Sequence, residues 1–481
     1  MSLSAALVGA NVALSNASRQ IAVVSGNIDG ANVPGYARKT LLLETGPDGY
    51  AEAVAIGRAT EQALQTASMD ATSKASGAAA LSGVYDQLEQ VFGATSSSNP
   101  MAMLSTLQNS LQQLSSQPSN VAAASSVVQQ AQTMVDALHS AMTQITGIRQ
   151  QANDQLGDAV KTLNSLLGQF QTVNTAITAG TGTSTDITSQ LDQRDTILSQ
   201  ISQYVGVSAV QRPDGSMALY TDSGVVMFDG IPREVKLAPG ALTTGAAGPT
   251  LTIDGTDVTS STSPMKLQTG TIAALIQARD QTAVNAQSQL DELARNLING
   301  FAEKDPAGVQ PDQAGMFTNA GSVTLPGNAL VTGLAGSISI ADSVKNNPML
   351  VRDGGISGAA YTMNTTNAVE YSDRINQLID VFNAPQSFDP SVSLVGTASL
   401  TSYASSTMNI FEAARQKATQ SASETKVTQD RATQTLSNAT GVNMDDETSK
   451  MLEIQRSYQL AAKMVSTIDG MFQSLLTSVG R

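Results

Sequence analysis

Residues 441–479 read GVNMDDETSKMLEIQRSYQLAAKMVSTIDGMFQSLLTSV, and their spacing decides how the rest of the chain is read. Met451, Ile454, Tyr458, Ala461, Val465, Ile468, Phe472, Leu475 and Val479 recur in alternating steps of three and four. Such a stripe is the apolar seam of a helix that lies along other helices. Asn443 and Asp445 stand ahead of it as caps. Asp445, Asp446 and Glu447 place negative charge in the first turn, where the helix dipole favours it. No Pro interrupts the pattern, and Gly470 is its weak interior position.

The other end of the chain carries a matching stripe. Leu3, Leu7, Ala10, Leu14, Ala17, Ile21, Val24 and Ile28 step by four and three, and up to Tyr36 only Arg19 and Asp29 are charged. The two stripes predict that the ends pair with each other and pack beside further copies of the chain. Burying so few apolar side chains returns less free energy than ordering two long helices costs. The ends are therefore expected to be disordered in the free monomer and to fold on assembly.

Composition narrows the class. A chain of 481 residues holds two to four domains. The net charge of −14 and the lack of a basic stripe exclude a nucleic-acid partner. No apolar run reaches the length of a membrane span, and no charged n-region followed by an apolar block marks a cleaved secretory signal. Cys is absent, which excludes disulfides and thiolate chemistry. Aromatics make up 4% and Trp is absent, the composition of a helix-rich fibrous or secreted surface protein.

Between the ends the period changes several times. Pro34-Gly35 is a turn that ends the first helix. Leu41–Leu43 and Ala53–Ile56 read as short extended pieces, and a helix is expected from about Thr60 to Phe92. Ser96-Ser97-Ser98-Asn99-Pro100 is a breaker, and a helix over 101–114 ends at Pro118. The longest pattern follows: Ala124, Val128, Ala131, Val135, Leu138, Met142 and Ile145, then Ala152, Leu156, Ala159, Leu163, Leu166, Phe170, Val173 and Ile177. Arg149 alone offends this seam, and its stem is expected to snorkel outward. Gly180-Thr181-Gly182 should make the turn, and Asp186 should cap a helix reaching Tyr204. Alternation then predicts a hairpin of Val207–Val210 with Met217–Tyr220, and strands at Val225–Phe228, Val235–Leu237 and Leu251–Ile253. Ile272–Phe301 reads as helix, 305–361 as Gly/Pro/Asn-rich with short strands near 337–340, and Thr366–Phe382 and Leu400–Leu436 as helices.

Chemistry is scarce. One His, His139, rules out His-rich zinc sites and His-containing triads, and reads as a surface or seam-edge residue. There is no phosphate loop, and Asp254-Gly255-Thr256-Asp257 lacks the closing Glu of a calcium loop. Asp192-Gln193-Arg194-Asp195 has the residue types of an acid–base site. In an amphipathic helix, however, Asp192 and Asp195 share a face while Arg194 points elsewhere, and a structural hydrogen-bond or ion-pair role is favoured. No catalytic site, metal site or cofactor is called, and the chain reads as a non-enzyme.

Several of these stretches resemble the flagellar axial proteins. The family carries an Asn-rich helix end followed by Asn-Thr-Pro-Gly-Tyr-Ser-Arg, which is similar to Asn27-Ile28 and then Asn32-Val33-Pro34-Gly35-Tyr36-Ala37-Arg38 here, with Val33 and Ala37 departing from the usual Thr and Ser. Its Gly-Val-Asn-Leu-Asp-Glu-Glu segment and Gln-x-x-Tyr-x-x-x-Ala helix resemble Gly441–Glu447 and Gln455–Ala462. The middle points to the hook-associated proteins of the hook–filament junction. Leu191–Asp195 resembles their Asp-Gln-Arg-Asp helix, and Gly270–Asp280 their Gly-x-Leu-x-Ala-Leu-x-x-x-Arg-Asp helix, with a similar following loop through Gly315-Met316-Phe317.

The resemblance implies a mainly α, elongated, nested multidomain chain with β-rich outer domains, its N- and C-terminal helices pairing as a coiled coil. The expected division is 1–45 with 437–481 as a terminal inner domain, and 46–204 with 270–304 and 398–436 as a helical middle domain. Residues 205–269 form a β-rich part and 305–397 a variable outer domain. It implies an uncleaved, type III-exported structural protein outside the cell that forms a layer on the hook and adapts it to the filament. Its implied partners are copies of itself, hook protein, a second junction protein of the hook-associated protein 3 type, and a cytoplasmic chaperone on the C-terminal helix. The assembly residues are Leu3, Leu7, Leu14, Ile21, Val24 and Ile28; Asn27, Asn32, Pro34, Gly35, Tyr36 and Arg38; and Met451, Ile454, Tyr458, Val465, Ile468, Phe472, Leu475 and Val479. A hook or other axial subunit and a secreted trimeric coiled-coil adhesin are the alternatives; the adhesin would be an independent trimer, where a junction subunit stays monomeric until it meets the hook.

Overall fold

The computed structural model describes residues 2–93, 99–183, 185–392 and 396–480. Helix α1 (Leu3–Gly30) leads to a hairpin of β1 (Lys39–Thr45) and β2 (Ala51–Arg58). Four helices follow: α2 (Gln62–Phe92), α3 (Pro100–Ser116), α4 (Val121–Thr183) and α5 (Thr188–Tyr204). Strands β3 (Val207–Gln211), β4 (Met217–Thr221), β5 (Val226–Asp229) and β6 (Ile231–Pro232) form one antiparallel sheet. A second is made of β7 (Val235–Leu237), β8 (Leu251–Ile253) and β9 (Thr256–Asp257). Helices α6 (Thr271–Gln277) and α7 (Ala283–Gly300) are joined by a π-turn at Ala278–Thr282. Short elements then alternate: β10 (Phe317–Asn319), β11 (Ile338–Ile340), α8 (Asp342–Asn346), α9 (Leu350–Asp353), α10 (Asp373–Asp380), β12 (Gln386–Ser387) and β13 (Thr397–Ala398). Helices α11 (Leu400–Thr440) and α12 (Met444–Val479) close the chain.

Local chemistry explains several boundaries. Ser2 accepts from the Ala5 amide at the start of α1, and Asn99 accepts from Met101 N–H with Pro100 in the first turn of α3. Asn443 accepts from Asp445 and Asp446 N–H ahead of the acidic first turn of α12. Gly270 starts α6 at φ 94°, where a Cβ would lie 2.4 Å from the Tyr204 carbonyl, so only Gly fits. Of the expected breaker, Ser96–Ser98 lie outside the described residues.

The core is continuous. Leu104, Leu107 and Leu111 of α3, Leu138, Ile145, Leu156 and Phe170 of α4, and Leu290, Leu293 and Leu297 of α7 are fully buried in it. Phe170 meets Phe228 of β5 edge-on at 5.0 Å, so the β-rich part packs on the same long helix. Phe301 meets Phe317 and Phe382 edge-on at 5.0 and 5.8 Å, and Phe388 stacks on Tyr403 at 4.0 Å. Phe317, Ile338, Ile340, Phe382 and Phe388 belong to this same buried cluster. The strands of the first hairpin, on either side of residues 46–50, pair with each other.

Three expectations are corrected. Helix α4 runs 63 residues, about 95 Å at ~1.5 Å per residue, and Gly180-Thr181-Gly182 lies inside it. Thr181 and Thr183 hydroxyls bond back to the Ile177 and Ala179 carbonyls. The reversal comes later, where Thr185 N–H donates to Gly180 O at 3.1 Å. Arg149 does not snorkel: it is 1% exposed, and its guanidinium donates to the carbonyls of Arg279 (2.9 Å), Thr243 (2.7 Å) and Ala246. Three carbonyls gathered by the π-turn and the 243–246 loop satisfy the fork, although burial still lowers its pKa. The helix expected over Thr366–Phe382 is only Asp373–Asp380. Asn364 closes the preceding segment into a turn, accepting from Ala368 N–H and donating to Ala368 O, with Asn367 at φ 52°.

Candidate assembly site

Helices α1 and α12 lie against each other. On α1, Val24 is buried, and Leu3, Leu7, Leu14, Ile21 and Ile28 are half-buried. On α12, Ile468 is buried and Met451, Ile454, Val465 and Phe472 are half-buried, whereas Tyr458, Leu475 and Val479 of the expected seam stay exposed. A second apolar row runs beside the covered one. Leu460, Met464, Met471 and Leu475, spaced four, seven and four, are 66%, 54%, 50% and 47% exposed. These positions lie about a quarter-turn round the helix from Ile454, Ala461, Ile468 and Phe472. One face of α12 thus meets α1, and an adjacent apolar face is left largely exposed.

Where this pair meets the body, the chain is knotted around one amide. Asn27 is fully buried. Its Nδ2 donates to the Lys39 carbonyl at 2.8 Å and to Glu447 Oε2 at 2.9 Å; its Oδ1 accepts from Tyr36 Oη at 3.0 Å and Lys39 N–H at 2.9 Å. All four hydrogen-bonding capacities of the side chain are used. Glu447, 1% exposed, also accepts from Lys450 Nζ at 3.1 Å. Arg38 N–H donates to Thr440 O at 2.7 Å, tying the motif to the end of α11. Gly35 stands at φ 82°, with a Cβ there only 2.5 Å from Thr196 Oγ1 of α5. Asn32 and Pro34 are exposed.

The α5 motif faces the same knot. Lys39 Nζ lies 3.2 Å from Asp192 Oδ2 and 4.7 Å from the Tyr36 ring centroid. Arg58 bridges Asp192 Oδ1 at 3.0 Å and Asp195 Oδ2 at 2.5 Å. Arg194 turns inward, 3% exposed, and donates to the Gly215 carbonyl at 2.8 Å; burial lowers its pKa. Gln193 is exposed. The structure therefore brings Asn27, Tyr36, Asp192 and Asp195 together with Lys39, Arg58 and Glu447. The last three went unread as site residues. The spacing marks Glu447 as dipole charge and as part of the Gly441–Glu447 segment, not as a partner of Asn27, and nothing local to Lys39 or Arg58 reveals a carboxylate more than a hundred positions away. His139 is half-buried, its Nε2 2.8 Å from Ile338 O.

Tyr36 offers a direct readout of this knot. Burial, then the Asp192, Glu447 and Asp29 carboxylates, push its phenol up to about 12 from 10.0. Its contribution to stability is present below pH 10 and lost as pH rises through 12, because the unfolded phenol ionises first. Alkaline difference spectroscopy should show a late-ionising tyrosine that Tyr36→Phe removes; an unchanged titration in that variant would contradict the assignment.

Comparison with known proteins agrees on one group. The profile of the flagellar hook-associated protein FlgK helical domain matches residues 85–317, and that of the flagellar basal body rod FlgEFG protein C-terminal region matches 433–478. Flagellar hook-associated protein 1 of Bacillus subtilis is 23% identical over 422 residues, covering 82% of this chain and 79% of that protein. Its counterpart in Salmonella typhimurium is 25% identical over 314 residues, 62% of this chain and 56% of the relative's length. The structure of the flagellar hook junction protein FlgK from Burkholderia pseudomallei superposes with a TM-score of 0.58 at 16% identity, covering 77% of this chain and 99% of that one.

Proposed function

We propose that this chain belongs to the flagellar hook-associated protein 1 family, and that it assembles as a layer at the distal end of the hook and adapts it to the filament. In this reading it leaves the cell through the flagellar type III apparatus without cleavage, after a cytoplasmic chaperone has covered α12. It then contacts hook protein below, a second junction protein above, and copies of itself around the ring. The observation that carries the reading is the uncovered row Leu460–Met464–Met471–Leu475 beside the row that meets α1. Exposed apolar rows of this length are interaction surfaces, and a groove of about 480 Å³ lined by Leu3, Gly470, Met471 and Leu475 lies at the same tip.

Electron microscopy of a deletion strain tests it: hooks should stand without filaments, with filament protein lost to the medium. Normal filaments on that strain would end the proposal. A second expectation concerns the free chain. Among the residues of α12 only Glu447, Ala461 and Ile468 are buried, which supports the expectation that the ends order on assembly. Amides of Ile454–Leu475 should exchange fast in the monomer and slowly once docked. Strong protection in the monomer would overturn this.

A further inference from the structure

Helix α1 touches α12, β1 and β2, and the hairpin reaches the body at α5. The contacts at this crossing converge on α5: the Gly35 backbone comes close to Thr196, and the side chains pair Lys39 with Asp192 and Arg58 with Asp192 and Asp195. Lys39 opens β1 and Arg58 closes β2, so both ends of the hairpin base are held by carboxylates one helical turn apart. From there a chain of direct contacts runs through the Lys39 backbone to Asn27 and on to Glu447 of α12. The core-forming residues of α5 are Ile197, Leu198 and Ile201, on a different face from the two carboxylates. The ionic side chains are 8–20% exposed, sheltered enough to resist screening by salt.

We propose that Asp192 and Asp195 are positioning residues for assembly: they grip Lys39 and Arg58 and so fix the direction in which the α1–α12 pair leaves the body. The consequence for docking rests on the assembly reading above, while the grip itself is a property of the single chain. Four groups in one network give such a grip a defined geometry that an isolated surface pair lacks. Because the carboxylates lie off the core face, their loss should free the hairpin without unfolding the helices behind it.

The test uses the full chain. In Asp192→Asn/Asp195→Asn, amides of 40–57 should lose about tenfold or more protection from exchange, as expected when a charge-assisted hydrogen-bond network is removed, while α4 and α5 amides hold theirs. Docking onto isolated hooks should weaken about tenfold by the same argument. The reversed set, Asp192→Lys/Asp195→Lys with Lys39→Glu/Arg58→Glu, should recover both. Unchanged hairpin exchange in the Asn variant, or reversed charges that rescue neither readout, would overturn the proposal. If the Asn variant does not fold, Lys39→Gln/Arg58→Gln carries the same comparison from outside the body. If the unaltered chain fails to dock, the assembly reading falls and the exchange measurement still decides the grip.

Discussion

Replacing Leu460, Met464 and Met471 together with Glu is expected to leave a folded chain that no longer joins hooks. Each side chain contributes about 1.5–3 kcal/mol when fully buried against a neighbour, so the loss is at least about a thousandfold in docking affinity. In the isolated chain these side chains are half or more exposed. Such surface changes shift stability by only about 0.5 kcal/mol each, and melting of the body should barely move. Sedimentation with purified hooks and swimming of the complemented deletion strain read the effect. Removing everything after Gly441 should give the same phenotype with a monomeric, folded remainder. A triple variant that docks and swims would show that this row is not the contact.

The second large effect is on stability. Arg295 and Glu292 form a buried pair, with side chains 1% and 0% exposed and contacts of 2.8 and 2.7 Å. Arg295 also donates to the carbonyls of Gly327 (3.0 Å) and Ser387 (2.6 Å), and Glu292 accepts from Asp389 N–H at 2.8 Å. Arg295→Met strands the carboxylate and the Ser387 carbonyl at once, while Gly327 O keeps its bond from Asn299 Nδ2 at 2.7 Å; the cost is about 3–5 kcal/mol. The segment 305–397 should loosen from α7 first, since the lost bonds are those that hold it. Denaturant unfolding followed by circular dichroism measures this; the chain has no Trp to report by fluorescence. Glu292→Gln combined with Arg295→Met should regain part of the loss by removing the orphaned charge. A cost below about 1 kcal/mol for the single change would mean that water reaches the pair.

What could be read in advance follows from how far each interaction reaches. The stripes of α1, α4 and α12 and the hairpin of β3 with β4 repeat every few residues, so their periods stand in the sequence itself. The burial of Arg149 leaves no local trace, because its acceptors at Thr243, Ala246 and Arg279 lie about a hundred positions on, in a loop and a π-turn with no periodic mark. Asn364 overrode helix propensity by bonding its own neighbourhood. In the assembly site, resemblance pointed to Asn27 and Tyr36, but Glu447 could not be joined to them: it lies 420 residues from Asn27 along the chain.

That separation also governs timing. At ~5–20 residues per second on the ribosome, roughly 20–80 s pass between the making of Asn27 and of Glu447. Throughout that interval the first helix has no mate, and its apolar stripe must be shielded or left unfolded at least until α12 has been made.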